Sequence, residues 1–327
     1  MFMAEIEKNI LTIKDLKTYF YTRRGIVKAV DGVNLSVNEN ETLGIVGESG
    51  CGKSITCLSI IRLVPAPAGR IVSGEILLEG DDLLKKSEKE MREVRGKSIS
   101  MILQDPMTSI NPVFTIGEQV ADPIRIHQRP NKKELWERVI EILRKVKIPA
   151  PEIRLNEYPH QMSGGMRQRI IGAMSLSCQP KLLIADEPTT ALDVTIQAQF
   201  LRLLKEIQES SKLSMIVVTH DFGIVAKICN KVAVMYAGKV VEFAGIRDLF
   251  NHPAHPYTKA LLNSLPNIDR RIEKLYSIEG QPPDLMNLPA GCSFAPRCPH
   301  VRDICEKEYP REFNIGDQHT ANCWLLG

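Results

Sequence analysis

The sequence predicts an α/β protein with a mainly parallel sheet, an inserted helical region and a small cysteine-rich C-terminal region. Two observations support the core of this prediction. Apolar, strand-like segments alternate with amphipathic helical segments, and two of the apolar segments end in acidic or imidazole side chains. Such alternation is typical of parallel sheets that helices cover on both faces. A chain of 327 residues is long enough for two domains.

The first part of the chain has the pattern of short strands. Apolar or aromatic runs predict strands at residues 11–13, 19–21, 27–30 and 33–37, and a further strand at 42–46. The character changes between residues 92 and 160. Residues 134–148 place five apolar side chains on one helical face, namely Leu135, Val139, Ile142, Leu143 and Val146. This part of the chain therefore predicts a helical insertion, in which Trp136 has a packing role.

Alternation of strands and helices resumes after the insertion. Residues 181–185 predict a buried strand, residues 197–210 an amphipathic helix, and residues 215–218 a second buried strand. Segments 232–236 and 240–243 predict a hairpin around Ala-Gly-Lys. Beyond Gly245 a helix at 257–265 leads into a tail rich in Pro, Gly and Cys with little periodicity.

A glycine-rich turn follows the strand at 42–46. Residues 47–54 read Gly-Glu-Ser-Gly-Cys-Gly-Lys-Ser, and an apolar helical run comes next; we call this segment the phosphate loop. Glycines let backbone N–H groups turn inward, and the start of a helix favours an anion at the same place. Lysine supplies positive charge for the outer phosphates, and the serine hydroxyl suits a magnesium ion. The loop predicts nucleoside triphosphate binding by Gly47, Ser49, Gly50, Cys51, Gly52, Lys53, Ser54 and Ile55.

Two other motifs have the chemistry of a triphosphate site. Asp186 and Glu187 follow a buried strand, where ligands bind in open α/β sheets. The aspartate is suited to hold magnesium, and the glutamate to orient water toward a γ-phosphate. Ser163, Gly164 and Gly165 stand at the head of a predicted helix. They form either a second anion cradle or a simple helix cap.

The ordered set of motifs resembles the ATP-binding cassette (ABC) ATPases over about residues 10–245. Besides the phosphate loop, it includes Gln104 in Leu-Gln-Asp-Pro, the Ser-Gly-Gly motif, Asp186-Glu187, Ala-Leu-Asp193 and His220. The resemblance implies a P-loop NTPase with an ABC-type nucleotide-binding domain, using ATP and Mg²⁺. It also implies residue roles: Phe20 would stack on adenine, Gln104 would contact Mg²⁺ and the attacking water, and His220 would contact the γ-phosphate. Tyr19 and Tyr21 compete with Phe20 for the adenine.

The resemblance further implies a pair of cassettes that enclose two ATP molecules between them. The cradle at Ser163 would face the ATP of a partner cassette, and Asp193 would lie at the interface. The family pattern is usually Leu-Ser-Gly-Gly-Gln, whereas this chain has Met162-Ser-Gly-Gly-Met166. We expect a mild effect, because the serine and glycines supply the anion contacts.

Further motifs narrow the resemblance to the ATPase subunits of oligopeptide, dipeptide and nickel importers. They are His255-Pro-Tyr-Thr, Gly280-Gln-Pro-Pro-Asp and Gly291-Cys-Ser-Phe-Ala-Pro-Arg-Cys-Pro. Peptide import is the preferred interpretation and nickel import the alternative. A soluble ABC ATPase acting on DNA or ribosomes is disfavoured, because the chain has neither a second phosphate loop nor heptads.

The implied partners are two membrane-spanning permease subunits, a second ABC ATPase subunit and, indirectly, an extracytoplasmic peptide-binding protein. The Pro-rich segment at residues 105–112 and the helical insertion are the expected docking places. We expect a peripheral protein on the cytoplasmic face of the membrane, because the sequence contains no secretory signal and no long apolar span. The predicted domains are residues 1–250, with the helical subdomain inserted at about 92–165, and residues 251–327.

Composition gives no positive support for a nucleic-acid partner, and none is expected. The 42 Lys and Arg residues nearly balance 39 Asp and Glu, for a net charge of +3, and the basic side chains form no stripe.

Four of the eight cysteines lie in the last 36 residues: Cys292, Cys298, Cys305 and Cys323. In a reducing compartment such a group indicates a metal site rather than disulfides. Structural zinc sites usually include a Cys-x-x-Cys pair, which this tail lacks. The wider spacings favour a 4Fe-4S cluster, with zinc and unligated buried thiols as the alternatives.

Overall fold

The structure, a computed structural model, describes residues 8–104, 109–189, 193–265 and 277–327. The chain divides into two compact units. The first unit comprises Met1–Leu11, Val37–Thr42 and Leu78–Val218, and the second comprises Thr12–Ser36, Leu43–Leu77 and Thr219–Gly327. Two predicted motif segments, residues 105–108 and 190–192, lie outside the described residues.

The described ranges contain twelve β-strands. In chain order they are β1 (Asn9–Thr22), β2 (Gly25–Asn38), β3 (Thr42–Val46), β4 (Gly69–Leu78), β5 (Asp81–Asp82), β6 (Ile99–Ile102), β7 (Leu182–Asp186), β8 (Ser214–Thr219), β9 (Lys231–Tyr236), β10 (Lys239–Gly245), β11 (Phe313–Gly316) and β12 (His319–Ala321).

Eleven α-helices are found in the same ranges. They are α1 (Lys53–Ile60), α2 (Glu88–Val94), α3 (Ile116–His127), α4 (Lys132–Lys145), α5 (Pro151–Arg154), α6 (Gly164–Leu176), α7 (Val194–Ser211), α8 (Phe222–Ile228), α9 (Ile246–Asn251), α10 (Pro256–Asn263) and α11 (Asp303–Lys307). Short 3-10 turns occur at Leu83–Lys85, Pro159–Gln161, Ala295–Arg297 and Trp324–Leu326.

The first unit combines a parallel sheet with helices. Strands β6, β7 and β8 pair in parallel, with Ile99 opposite Leu182 and Asp186 opposite Val218. Helices α3, α4, α6 and α7 contribute side chains to one apolar cluster, against which Trp136 packs. The predicted helix at 134–148 is confirmed as α4. It begins two residues earlier than expected, because the Asn131 side chain caps its first turn.

The second unit contains the strand that leads into the phosphate loop. Strand β3 pairs in parallel with β9, β9 pairs with β10 as the predicted hairpin, and β10 pairs with β12. Strands β2, β1 and β4 are neighbours in a separate sheet. The Cys-rich tail, in which no regular structure was predicted, contains α11, β11 and β12. Those strands are three and four residues long, too short for a periodic pattern.

The prediction of four short N-terminal strands was wrong, because β1 and β2 are each 14 residues long. Asp15 and Gly32 interrupt the apolar pattern and have φ values of 43° and 81°. These left-handed residues break the alternation of faces without ending the strands. At Asp15 the two strands stay connected, because its N–H donates to the Asn34 side chain. A local change of backbone direction therefore looked like a strand end in the sequence.

We expect Leu143→Ala to destabilise the first unit. Leu143 is fully buried in the apolar cluster, and a cavity of this kind costs about 2–5 kcal/mol of unfolding free energy. Urea denaturation followed by tryptophan fluorescence measures the change, because Trp136 packs on the same cluster. Lys133→Ala is the control, since its side chain is 88 % exposed on the same helix. Equal midpoints for the two variants would contradict the packing described here.

Candidate nucleotide-binding site

Two glycines of the phosphate loop lie against backbone carbonyl groups of neighbouring strands. Gly47 has φ +154°, and a Cβ there would overlap the carbonyl oxygen of Met235. Gly52 has φ +106°, and a Cβ would overlap the carbonyl oxygen of Ala29. Both neighbours belong to the second unit, as the loop does. The loop therefore follows a path that is open to glycine alone at both positions.

Lys53 lies inside the curve of the loop. It is the first residue of α1, and only 5 % of its surface is exposed. Its Nζ donates to the carbonyl oxygens of Gly47 at 2.8 Å and Glu48 at 2.9 Å. Ser54 follows in the first turn of α1 and is half-buried. A positive charge and a hydroxyl thus lie together at the start of a helix, which is the chemistry that a polyphosphate requires.

Sequence reasoning missed the residues that hold the second residue of the loop, Glu48. The Glu48 N–H donates to the Tyr257 hydroxyl at 2.9 Å, and the Glu48 carboxylate forms an ion pair with Arg297 at 2.7 Å. Both partners belong to the second unit. In the sequence, the signal for these residues was that Tyr257 and Arg297 each lie in a motif typical of the importer group. That signal did not indicate a contact with the phosphate loop.

Glu187 is held in an unusual backbone conformation after β7. Asp186, the last residue of that strand, is buried, and Glu187 has φ +46°. The Glu187 N–H donates to the carbonyl oxygen of Val218, and Gln104 Nε2 donates to Glu187 Oε2 at 3.5 Å. A non-glycine residue in this region costs on the order of 1–3 kcal/mol and is concentrated at functional sites. The structure therefore brings Gln104 and Glu187 together in the first unit.

Ser163 and Asp193 each cap a helix of the first unit. Ser163 accepts from the Met166 N–H at the start of α6, and Asp193 accepts from the Thr195 and Ile196 N–H groups at the start of α7. Both caps are exposed. The side chain of Met166 packs against the apolar cluster. A thioether suits that position, in place of the usual family glutamine.

Gln168 is a further residue that sequence reasoning did not assign. It is 1 % exposed in α6, and its Nε2 donates to the carbonyl oxygen of Pro188. The helix that begins with the Ser-Gly-Gly motif is thereby bonded to the residue that follows Glu187. Both lie in the first unit.

Three aromatic residues of β1 were candidates for an adenine contact. The Tyr19 hydroxyl donates to Asp31 at 2.6 Å, so the polar end of this side chain is already bonded. Phe20 is half-buried with its ring edge close to Gly69. Tyr21 is 44 % exposed, and the Arg70 guanidinium lies 5.5 Å from the centre of its ring. Phe20 stays the prediction for adenine stacking.

The predicted site residues are distributed over both units. The phosphate loop, Phe20 and His220 belong to the second unit, and His220 is exposed directly after β8. The other predicted site residues belong to the first unit, namely Gln104, Ser163, Gly164, Gly165, Asp186, Glu187 and Asp193.

All four tail cysteines line one small cavity in the second unit, together with His255, Phe294, His300 and Trp324. Burial raises the pKa of Cys292 to about 11, and it also raises the pKa values of Cys298 and Cys323. In the described part of the chain, no three His, Cys, Asp or Glu side chains are grouped to hold a single metal ion.

His255 contributes a polar atom to the same cavity. Its Nδ1 accepts from the Tyr257 N–H at 3.0 Å, so the ring proton is on Nε2. Burial lowers the pKa of His255 to about 3, which keeps the ring neutral. Among the described residues, Nε2 has no hydrogen-bond partner although it is buried. The residues that line this cavity therefore include four thiols and one neutral imidazole, which are the ligand types of protein metal sites.

Comparison with known proteins agrees with these observations. Residues 30–190 match the family model "ABC transporter", and residues 241–305 match "Oligopeptide/dipeptide transporter, C-terminal region". A probable peptide ABC transporter ATP-binding protein of Sinorhizobium fredii is 52% identical over 316 residues, which covers 96% of this chain and 94% of the relative. The dipeptide transport ATP-binding protein DppD of Bacillus subtilis is 50% identical, covering 97% and 95%.

Solved structures give the same result for the fold. The ATP-binding cassette MJ0796, solved as a dimer in a post-hydrolysis state with ADP and Pi, matches with a TM-score of 0.64 and 27% identity. The match covers 72% of this chain and 99% of that structure. CbiO1 of Clostridium perfringens, part of the ABC transporter complex cbiONQ, matches with a TM-score of 0.64 and 27% identity, covering 75% and 92%.

The fold is that of an ABC-type P-loop nucleotide-binding domain with mixed α/β sheets. The chain belongs to the ABC transporter ATP-binding proteins, in the oligopeptide/dipeptide branch of that family, and is an ATPase. Of the helices in the described ranges, none has the length and apolar character that crossing a bilayer requires.

We expect Gly47→Ala to weaken ATP binding by about tenfold or more, because overpacking costs about 1–3 kcal/mol and the methyl group would meet a rigid carbonyl. Fluorescence titration with an ATP analogue measures the dissociation constant. Gly80→Ala is the matched control: Gly80 has φ +91°, but a Cβ there meets open space. Equal affinity for ATP in the two variants would contradict a functional role for the close contact between Gly47 and Met235.

Proposed function

We propose that this chain is the ATP-hydrolysing subunit of an importer of dipeptides or oligopeptides. The observation that carries the proposal is the phosphate loop, in which Lys53 lies buried among loop carbonyls and Gly47 follows a path closed to other residues. The cargo is inferred from the relatives, whose names describe peptide, dipeptide and oligopeptide transport at 49–52% identity. No feature of the described residues favours nickel over peptides.

In the proposed mechanism the phosphate loop binds the triphosphate of ATP. Backbone N–H groups from Ser49 to Ile55 and the ammonium of Lys53 hold the phosphates, and Phe20 stacks on adenine. Ser54, Gln104 and Asp186 would hold Mg²⁺, which neutralises phosphate charge when it is bound.

Glu187 is the proposed water-orienting base. The strained backbone at Glu187 fixes the direction of its side chain, and Gln104 lies within hydrogen-bonding reach of the carboxylate. A carboxylate so held is suited to accept a proton from the attacking water. His220 would contact the γ-phosphate.

The working form is proposed to contain two such subunits. Ser163 and Asp193 are exposed at the starts of two helices and so are accessible to a second chain. In MJ0796 the matching cassette was solved as a dimer. Ser163, Gly164 and Gly165 would then complete the ATP site of the partner subunit. Two copies of this chain, or this chain and a related ATPase, could form such a pair.

We infer that the dimer binds two membrane-spanning permease subunits on the cytoplasmic face of the membrane. An extracytoplasmic peptide-binding protein would act with them indirectly, and no nucleic acid takes part. The proposed ATPase domain covers residues 1–250 with a helical subdomain at about 92–165, and a C-terminal extension covers 251–327. The family models support this division at residues 30–190 and 241–305.

We further propose that the four-cysteine cavity holds a 4Fe-4S cluster, with zinc as the alternative. The proposal is supported by the four cysteines lining one cavity, because a cluster of this type is bound by four thiolates. The N–H of His255 would donate to a cluster sulfur. Such a group would tie together a loop-rich region that has little regular structure of its own.

We expect Glu187→Gln to retain ATP binding and to lower ATP turnover by about 10²–10⁴-fold, because the base is lost and the shape is kept. The same substitution should stop uptake of a radiolabelled dipeptide by cells and leave nickel uptake unchanged. Purified protein and whole-cell uptake assays measure the two effects. Glu209→Gln, an exposed residue of the same unit, is the control. Normal turnover in Glu187→Gln, or lost nickel uptake, would contradict the proposal.

For the cysteine site we expect protein purified without oxygen to contain iron and acid-labile sulfide in equal amounts. Cys298→Ser should remove most of both, because each thiolate is a cluster ligand. Cys178→Ser, a buried cysteine of the first unit, is the control and should leave both unchanged. Zinc without sulfide would replace the cluster by the alternative ion. Neither metal would mean that the thiols are unligated.

A further inference from the structure

A carboxylate stands inside the phosphate loop, where it would repel a triphosphate. Glu48 is the second residue of the loop, and its backbone carbonyl accepts from Lys53 Nζ at 2.9 Å. The carboxylate therefore belongs to a residue whose backbone is bonded to the proposed phosphate-binding ammonium. An unpaired carboxylate at this position would weaken binding of an anion by direct charge repulsion.

Arg297 is bonded to both oxygens of this carboxylate. Its Nη1 donates to Glu48 Oε2 at 2.7 Å and its Nη2 to Glu48 Oε1 at 3.0 Å. This is the bidentate geometry that arginine forms and lysine cannot. The Arg297 side chain is 4 % exposed and the Glu48 side chain 27 %, so water reaches the pair only from the carboxylate side.

The remaining N–H groups of Arg297 are also bonded. Its Nε donates to the carbonyl oxygen of Glu279 at 3.0 Å, its Nη1 to the Tyr236 hydroxyl at 3.3 Å, and its Nη2 to the carbonyl oxygen of Ile278 at 3.5 Å. The guanidinium also lies 5.9 Å from the centre of the Tyr236 ring. Five donors in a fixed fork thus define one orientation of Arg297, and this orientation fixes the carboxylate of Glu48.

Tyr257 holds the backbone of the same loop residue. It is fully buried, and its hydroxyl accepts from the Glu48 N–H at 2.9 Å. Its ring lies 4.6 Å from that of Tyr236 and 5.4 Å from that of Phe294, measured between ring centres. The amide, the carbonyl and the carboxylate of Glu48 are therefore each bonded, two of them to the C-terminal region.

We propose that Arg297 and Tyr257 are positioning residues for ATP binding, which hold the phosphate loop through Glu48 and cancel its negative charge. The inference rests on the proposed role of this loop as the ATP site. It makes the C-terminal region a working part of that site. The two motifs His255-Pro-Tyr-Thr and Gly291-Cys-Ser-Phe-Ala-Pro-Arg-Cys-Pro thereby acquire a role, because each supplies one of the two residues.

A double-mutant cycle on the full chain tests the proposal. We expect Arg297→Gln to raise the dissociation constant for Mg-ATP by about tenfold or more, because a charge pair is broken and Glu48 is left uncompensated. Glu48→Gln alone should raise it by about threefold, less than Arg297→Gln does, because this variant loses the bidentate fork but leaves no carboxylate to repel the phosphates. The double variant should return to within about threefold of Glu48→Gln. A double variant as weak as Arg297→Gln would mean lost packing and would overturn the proposal.

Steady-state kinetics separates positioning from a structural role. In Arg297→Gln the KM for ATP should rise while kcat stays within about threefold, because the loop is misplaced in binding and the chemistry is intact. A fall of kcat with unchanged KM would contradict the inference. Arg311→Gln is the matched control: it removes an exposed arginine of the same region, which lies over Phe313, and should change neither value.

Milder variants decide the question if Arg297→Gln does not fold. Tyr257→Phe removes only the hydroxyl that accepts from Glu48, and Arg297→Lys keeps the charge but loses the fork. Each should raise the dissociation constant by about threefold or more. Unchanged affinity in both would overturn the proposal. Lys53→Ala tests the underlying site. If Lys53→Ala still binds ATP, the proposed nucleotide site itself is wrong. If Lys53→Ala loses ATP binding while Arg297→Gln binds ATP normally, only this inference is overturned.

Discussion

The position of the phosphate loop depends on the parallel pairing of β3 with β9. This register places Val46 opposite Val234, so that the chain leaves β3 directly beside the carbonyl group of Met235. Only a residue without a Cβ can pass there. The loop then turns back on itself, so that the ammonium of Lys53 donates to the carbonyl groups of the loop's first two residues. One strand pairing therefore determines both the path of the backbone and the place of the cation.

The ion pair between Glu48 and Arg297 explains why an acidic residue is tolerated in the phosphate loop. Two unit charges 4 Å apart interact by about 4 kcal/mol at an effective dielectric constant of 20. A carboxylate near a bound triphosphate would therefore be costly without a partner. Buried ion pairs add little net stability, because desolvation offsets their attraction. The pair of Glu48 and Arg297 is better understood as a device that fixes geometry than as one that stabilises the fold.

Local patterns allowed much of the fold to be predicted. The buried strands before Asp186 and His220, the hairpin of β9 and β10, and the helix α4 are each encoded in fewer than 20 neighbouring residues. The N-terminal strands were divided wrongly, because the left-handed residue Asp15 imitates a strand end in the sequence pattern. The role of Glu187 near the phosphate was predicted. Its strained backbone conformation could not be predicted, because only the tertiary structure imposes that conformation.

Long-range contacts set the limit for the site. Glu48 and Arg297 are 249 positions apart, and nothing in the composition of either segment indicates that they meet. Even where a motif was noticed, as with His255-Pro-Tyr-Thr, its role required the contact partner to be known. The four cysteines are a different case: their chemistry predicted a metal site, and the structure places all four around one cavity, but groups no three metal-binding side chains around an ion in the described residues.

The cavity and the phosphate loop belong to one packed body within the second unit. Arg297 directly precedes Cys298. The turn at Ala295–Arg297 lies between Cys292 and Cys298, and the Cys298 N–H donates to the Ala295 carbonyl oxygen. Phe294, in the same turn, packs edge to face on Tyr236 with ring centres 5.3 Å apart. Closely packed interiors transmit displacement because they contain little free space. A change at Cys298 would therefore be transmitted to its neighbour Arg297 and, through the ion pair, to Glu48 of the phosphate loop.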